Sequence, residues 1–239
     1  MPILVGIDGT SDWEPGESRN RSYDIAFKNS FVRRIAFGKA HSHYIRGPLN
    51  GGGGVVEGIF EGYKFISDLR KALPREPVLL TGYSRGAAEV IAVAQRLKRD
   101  KVKVRAMMLF DCVDRSLDMA TGTVPDNVEH VLHVIRDPAA RSRATFGNSG
   151  LRHSGNTDYP TPTKFMCTHG GMGGVYWKPE KGQKLDDYVD EGFAEDLFSP
   201  RRHGPVWLYH TNVTFRDDKI ESGRVWQFVQ SFLVLHGFV

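Results

Sequence analysis

Cysteine is scarce in this chain, with two in 239 residues, Cys112 and Cys167. That is too few for a disulfide framework, and their spacing matches no zinc-binding pattern. Long apolar runs are missing too. No window approaches the ~18 uninterrupted apolar residues of a membrane-crossing helix. Nowhere do four Lys or Arg stand in succession, and no stretch reads as a low-complexity linker or an internal repeat. The first residues, Met1-Pro2-Ile3-Leu4-Val5-Gly6-Ile7-Asp8, place no basic region ahead of a short apolar one, unlike a secretory signal. The expectation is a chain made soluble in the cytoplasm, which would reach another compartment only by a signal-peptide-independent secretion route. No metal and no cofactor is expected.

What is present is an ordinary globular composition. Hydrophobic residues make up 40% and charged residues 25%, enough for a single domain to bury a full core. The net charge of +4 is mildly basic. It fits a solvated surface, with attraction to an anionic membrane surface as the sharper alternative. Lys and Arg are scattered rather than clustered, which disfavours nucleic acid. The glycine run Gly51-Gly52-Gly53-Gly54 lacks the G-x-G-x-x-G spacing of a dinucleotide-binding turn. Oligomeric state is left open.

Periodicity predicts alternating strands and helices. Residues 2–7 form a short apolar run ending in Asp8-Gly9-Thr10, a buried strand entering a turn. Helical spacing follows over 21–37 and 55–72, with a short strand near 43–46 between them. Residues 77–81 read as a buried strand, 82–86 as a sharp turn and 87–97 as an Ala-rich helix. Apolar strands are expected at 102–110, 128–135 and 164–168, and a closing helix at about 221–235. A polar segment at about 136–160 reads as an insertion covering the site. This order predicts an α/β fold of the α/β-hydrolase type, a mostly parallel central sheet with helices on both faces.

The chemistry is concentrated around Gly82-Tyr83-Ser84-Arg85-Gly86. A G-x-S-x-G turn between a buried strand and a helix is a nucleophile elbow, with small flanking residues because side chains there would meet neighbouring backbone. Ser84 is the expected nucleophile. A serine nucleophile needs a base and the base an orienting carboxylate, which in this fold follow in the order Ser, acid, His at the carboxyl ends of later strands. Asp111 ends the next apolar strand, with Asp114 and Asp118 as competing neighbours. His169 follows a later strand at the edge of a glycine-rich loop. His203 and His210 are the main alternatives to it, ahead of His41, His43, His130, His133, His153 and His236. Oxyanion donors are expected from the amide of Arg85 and from the Gly9-Thr10 turn. Asp8 reads as an acid that pins that turn.

Taken in order, Ile7-Asp8-Gly9-Thr10, Gly82-Tyr83-Ser84-Arg85-Gly86-Ala87, Leu109-Phe110-Asp111-Cys112-Val113 and His169-Gly170-Gly171-Met172-Gly173-Gly174 resemble a known family. It is the catalytic domain of the type VI secretion phospholipase effectors, whose pattern runs F-D-G-T, G-F-S-R-G-A, F-D-T-V and H-S-D-V-G-G-G. The resemblance spans about residues 3–175 and implies ester hydrolysis, with the family triad falling on Ser84, Asp111 and His169. One position departs: the Asp two residues after the family's His is Gly171 here. The leading expectation is an esterase, lipase or phospholipase working through an acyl-enzyme. The alternatives are a catalytically silent or binding domain that keeps the fold, and a thioesterase or acyltransferase using the same triad.

Overall fold

The computed structural model describes residues 1–11, 19–49, 52–114, 119–144, 146–194 and 207–239. In chain order the elements are β1 (Ile3–Ile7), α1 (Arg19–Ala26), α2 (Phe31–Ala36), β2 (Ser42–Ile45), α3 (Val55–Ala72), β3 (Val78–Tyr83), α4 (Arg85–Arg99) and β4 (Val104–Phe110). They continue with β5 (Thr123–Val124), β6 (Val128–Arg136), β7 (Arg152–His153), β8 (Thr163–Phe165), α5 (His169–Met172), β9 (Tyr188–Ala194), β10 (Trp207–Thr214) and α6 (Phe215–His236).

The central sheet has six strands in the order β2-β1-β3-β4-β6-β8, and every pairing in it is parallel. Parallel strands need crossovers, and the crossovers cover both faces. One face packs Ile3, Val5, Ile7 and Leu80 under Ile59, Ile66, Val90 and Val93 of α3 and α4. The other packs Leu4, Leu79, Met108 and Phe110 under Val32 and Ile35 of α2 and Val225, Val229 and Leu233 of α6. This is a doubly wound α/β architecture. The chain winds from β1 out to β2, then returns to the other side of β1 with β3. The strand order therefore reverses between β1 and β3, and in such sheets the crevice at the carboxyl ends beside the reversal is where ligands sit. Gly9 follows β1 and Ser84 follows β3, so both candidate residues stand at that point.

Several expectations shift. The helix expected over 21–37 is two helices, because Ser30 caps a new start: its side chain accepts from the Arg33 amide at 3.0 Å. The closing helix starts at Phe215 rather than near residue 221, after Thr214 accepts from the Asp217 amide at 3.1 Å. Strand β3 runs on to Tyr83, directly against the elbow. The antiparallel pair β9 and β10 was not expected at all. Among the described residues, no helix is long and apolar enough to cross a membrane. Cys112 and Cys167 are free and buried, one in the packing of each face of the sheet.

Candidate active site

Ser84 holds a conformation that side chains avoid, φ 56° and ψ −126°, as the residue between β3 and α4. Its neighbours explain why the turn needs glycines. A Cβ on Gly82 would lie 2.6 Å from Ala87 Cα, and one on Gly86 would lie 2.2 Å from the Asp8 carbonyl oxygen. The strain is held by a ladder: the Ser84 amide donates to Phe110 O at 3.0 Å, and Ser84 O accepts from the Val113 amide at 3.1 Å.

The three residues expected to act together are in contact. His169 Nε2 lies 2.8 Å from Ser84 Oγ, and His169 Nδ1 lies 2.6 Å from Asp111 Oδ2. An ionised carboxylate can only accept, so Nδ1 carries the proton and Nε2 is left to accept from the serine hydroxyl. All three residues are buried. Burial alone would push the Asp111 carboxyl up, but the charge of Arg136 and the His169 hydrogen bond outweigh it and hold the group far below its usual range. Burial lowers His169, and the positive charges of Arg136 and Arg143 add to that against the pull of Asp111, so the neutral imidazole is favoured.

The competing acids and bases lie elsewhere. Asp114 accepts from Thr121 Oγ1 at 2.6 Å. His133 is buried with Nδ1 2.9 Å from Tyr159 Oη and Nε2 accepting from the Cys112 amide at 3.2 Å, and burial lowers it to about 4. His43, His130 and His210 face Glu61, Asp158 and Asp190. Asp118, His203 and Gly51 lie outside the described residues.

The β1 turn requires a correction. The Gly9 amide donates to Asp8 Oδ1 at 3.0 Å, so it is spent within the turn rather than offered to an oxyanion. Gly9 is there for space: a Cβ would lie 2.6 Å from the Tyr83 ring and 3.3 Å from Ser84 Cβ. Thr10 Oγ1 is buried with no hydrogen-bond partner among the described residues. The Arg85 amide stands at the first position of α4, a 15-residue helix whose N-terminus favours negative charge. Asp8 accepts from Gly9 N, from Tyr44 Oη at 3.0 Å and from Ser30 Oγ, and burial pushes it up to about 7. It pins the turn.

The segment at 136–159 supplies residues that sequence reasoning did not assign to the site. Arg136 ends β6 and donates from Nη1 to Asp111 Oδ2 at 2.6 Å, while Nε and Nη2 are taken up by the carbonyls of Ser142, Arg143 and Gly147. Asn148 Nδ2 donates to Asp111 Oδ1 at 2.7 Å. Ser142 Oγ accepts from the His169 amide at 2.7 Å and donates to buried Glu191 of β9. Phe146 sets its edge against the His169 ring at 5.4 Å. Arg136 carried a readable signal: like Asp111, it is a charged residue directly after an apolar strand, at the same edge of a parallel sheet. Glu191 carried none.

No family model matches this chain, and no curated protein matches it. Among solved structures it is similar to an uncharacterized protein from Pseudomonas aeruginosa, with 15% identity, 72% of this chain covered and a TM-score of 0.42. It spans 42% of the length of that protein. It is also similar to a protein of unknown function from Agrobacterium tumefaciens str. C58, with 17% identity, 68% of this chain and 82% of that one covered and a TM-score of 0.30.

Proposed function

We infer that this protein is a serine hydrolase that cleaves carboxylic esters through an acyl-enzyme. The observation that carries this reading is the continuous relay Ser84 Oγ–His169 Nε2–Asp111 Oδ2, at 2.8 and 2.6 Å, mounted on an elbow with a strained serine. His169 takes the Ser84 proton as the oxygen attacks the ester carbon, then returns it to the leaving alcohol. Asp111 keeps the imidazole in the required tautomer and offsets the charge that forms on it. The Arg85 amide at the start of α4, with the turn at Thr10, supplies the donors for the oxyanion in this reading. Water then repeats the sequence on the acyl-enzyme, with His169 again as base.

A lipid ester is the substrate class favoured by the surroundings. Val56 and Phe60, one helical turn apart near the start of α3, are exposed at 66% and 53%. Helix α3 begins beyond the carboxyl end of β2, on the Ser84 edge of the sheet. Phe146 presents an aromatic ring beside the base. Exposed Arg141 and Arg152 suit an anionic headgroup or a peripheral membrane surface. The resemblance to the type VI secretion phospholipase effectors points the same way.

The deciding experiment is labelling with a fluorophosphonate probe, with the modified residue mapped by mass spectrometry. Labelling at Ser84, abolished in Ser84→Ala together with nitrophenyl ester turnover, is the expected result. A folded protein that neither labels nor hydrolyses would instead be a binding domain on a hydrolase-like fold. Labelling with acyl transfer to a thiol or alcohol acceptor would place the same triad in a thioesterase or acyltransferase.

A further inference from the structure

The loop that carries His169 is poor in means to hold itself. Four of the five residues from 170 to 174 are glycine, and glycine backbone loses the most freedom on ordering. The position of a catalytic base nevertheless has to be kept to a fraction of an ångström, since a misplacement of about 1 Å costs on the order of 100-fold in rate. Order must be imposed from outside the loop.

Asp218, in the first turns of α6 and fully buried, is placed to do so. Its Oδ1 accepts from the Thr168 amide at 2.8 Å, and its Oδ2 accepts from Thr168 Oγ1 at 2.9 Å and from the Trp177 amide at 2.9 Å. Thr168 in turn caps α5, its Oγ1 accepting from the Gly171 amide at 3.0 Å. The carboxylate thus ties both ends of the glycine loop, immediately before His169 and again at Trp177. It also dictates the residue at 171. A Cβ on Gly171 would lie 2.4 Å from Asp218 Oδ1, so no side chain fits there while Asp218 is in place.

We propose that Asp218 is the positioning residue for His169, a carboxylate supplied from the C-terminal helix that fixes the loop of the base and occupies the space of the side chain Gly171 lacks. The proposal rests on the hydrolase reading for its kinetic consequence only. The geometry makes it separable from ordinary packing. Within an aspartate, the span from Cβ to a carboxyl oxygen is roughly 2.4 Å from two bonds of ordinary length. A carboxylate introduced at 171 can therefore bring an oxygen to the place Asp218 Oδ1 vacates.

The test compares Asp218→Gly, Asp218→Asn, Gly171→Asp and the double variant Gly171→Asp/Asp218→Gly. Two readouts are used: kcat and KM on a short nitrophenyl ester, and the low-field NMR signal of the His169 Nδ1 proton. Asp218→Gly is expected to lose ~10–100-fold in kcat with KM within about twofold, and to lose or broaden the proton signal. Gly171→Asp alone is expected to lose activity through the clash. Moving the carboxylate in the double variant should recover at least about tenfold over either single variant and restore the signal. Asp218→Asn, which keeps shape and gives up one acceptor, serves if Asp218→Gly does not fold, and should fall between. A folded double variant no better than Asp218→Gly, or Asp218→Asn with full kcat and an unchanged proton signal, overturns the proposal. If the wild type hydrolyses no ester, the hydrolase reading fails by itself, and the NMR comparison still decides the role of Asp218.

Discussion

Arg136 and Asp111 form a buried ion pair in which Nη1 lies 2.6 Å from Oδ2, the same oxygen that faces His169 Nδ1. The triad acid is therefore held between a cation and its imidazole. Removing one member of such a pair leaves the other charge uncompensated, at a cost of about 3–5 kcal/mol. Arg136→Met should destabilise the fold by that amount near neutral pH, measured by denaturant unfolding. Because Asp111 is depressed in the fold, its contribution is full above the usual carboxylate range near 4 and fades only as pH falls through the folded value. The loss in Arg136→Met should shrink in acid. A variant within 1 kcal/mol of wild type at pH 7 contradicts this account of the pair.

Burial, with a smaller contribution from the same arginine, sets the working pH. Ester hydrolysis needs neutral His169, and burial together with Arg136 and Arg143 lowers that group from its ordinary value of 6.5. The pH profile of kcat/KM should rise through one ionisation with a midpoint below 6.5 and then stay level. Arg136→Met removes a cation that opposes protonation, so in the surviving activity the rising limb should move to higher pH. A limb at or above 7 in the wild type contradicts the assignment of His169 as base.

Glu89 gives an independent test of buried charge. It lies in α4, fully buried, and neither carboxyl oxygen has a hydrogen-bond partner among the described residues. One of them sits 2.4 Å from where a Cβ on Gly58 would be. Burial pushes this carboxyl up to about 9, against the opposing charge of Arg85. The unfolded chain ionises from about 4.5 upward while the fold does not, so stability falls as pH rises between those values. At pH 7 the cost relative to acid is about 3 kcal/mol. Glu89→Gln keeps the shape and cannot ionise. Its stability relative to wild type should therefore climb by that amount between pH 4.5 and 7, followed by urea unfolding. Parallel pH profiles for the two proteins would show the acid already ionised in the fold.

That Ser84, Asp111 and His169 come together was legible because it follows from the sheet. Ser84, Asp111 and His169 each stand just past an apolar run, and in a parallel sheet such positions converge on one edge. The supports of those residues were less so. Asp218 and Glu191 lie 49 and 22 residues beyond His169, in elements whose packing no local pattern specifies. Strands β9 and β10 mix Asp, Glu, His, Thr and Asn with apolar residues, which hides their period. The Gly9 amide bonds its own neighbour because the Asp8 carboxylate turns back on the chain, which nothing in the pair Asp8-Gly9 foretells.

Substrate class is tested through two neighbouring arginines with different surroundings. Arg141 is exposed, in a left-handed turn after a short 3₁₀ segment. Arg143 is half-buried: its amide donates to Glu191 at 2.9 Å, and its guanidinium lies 5.5 Å from the centre of the Phe146 ring that flanks His169. A headgroup-binding role therefore fits Arg141, whereas Arg143 also supports the wall of the site. If the substrate is an anionic phospholipid, turnover on anionic vesicles should exceed turnover on a short soluble ester and should fall with added salt, because surface attraction is screened over about 10 Å at 0.1 M. Arg141→Ala should weaken vesicle hydrolysis several-fold, on the order of the 1 kcal/mol that a single basic residue near such a surface contributes, and leave the soluble ester untouched. Arg143→Ala should lower both, because it disturbs Phe146 and Glu191 as well as the surface charge. Equal losses on both substrates in Arg141→Ala, or vesicle turnover indifferent to salt, would remove the anionic surface from the reading and leave an enzyme for small soluble esters.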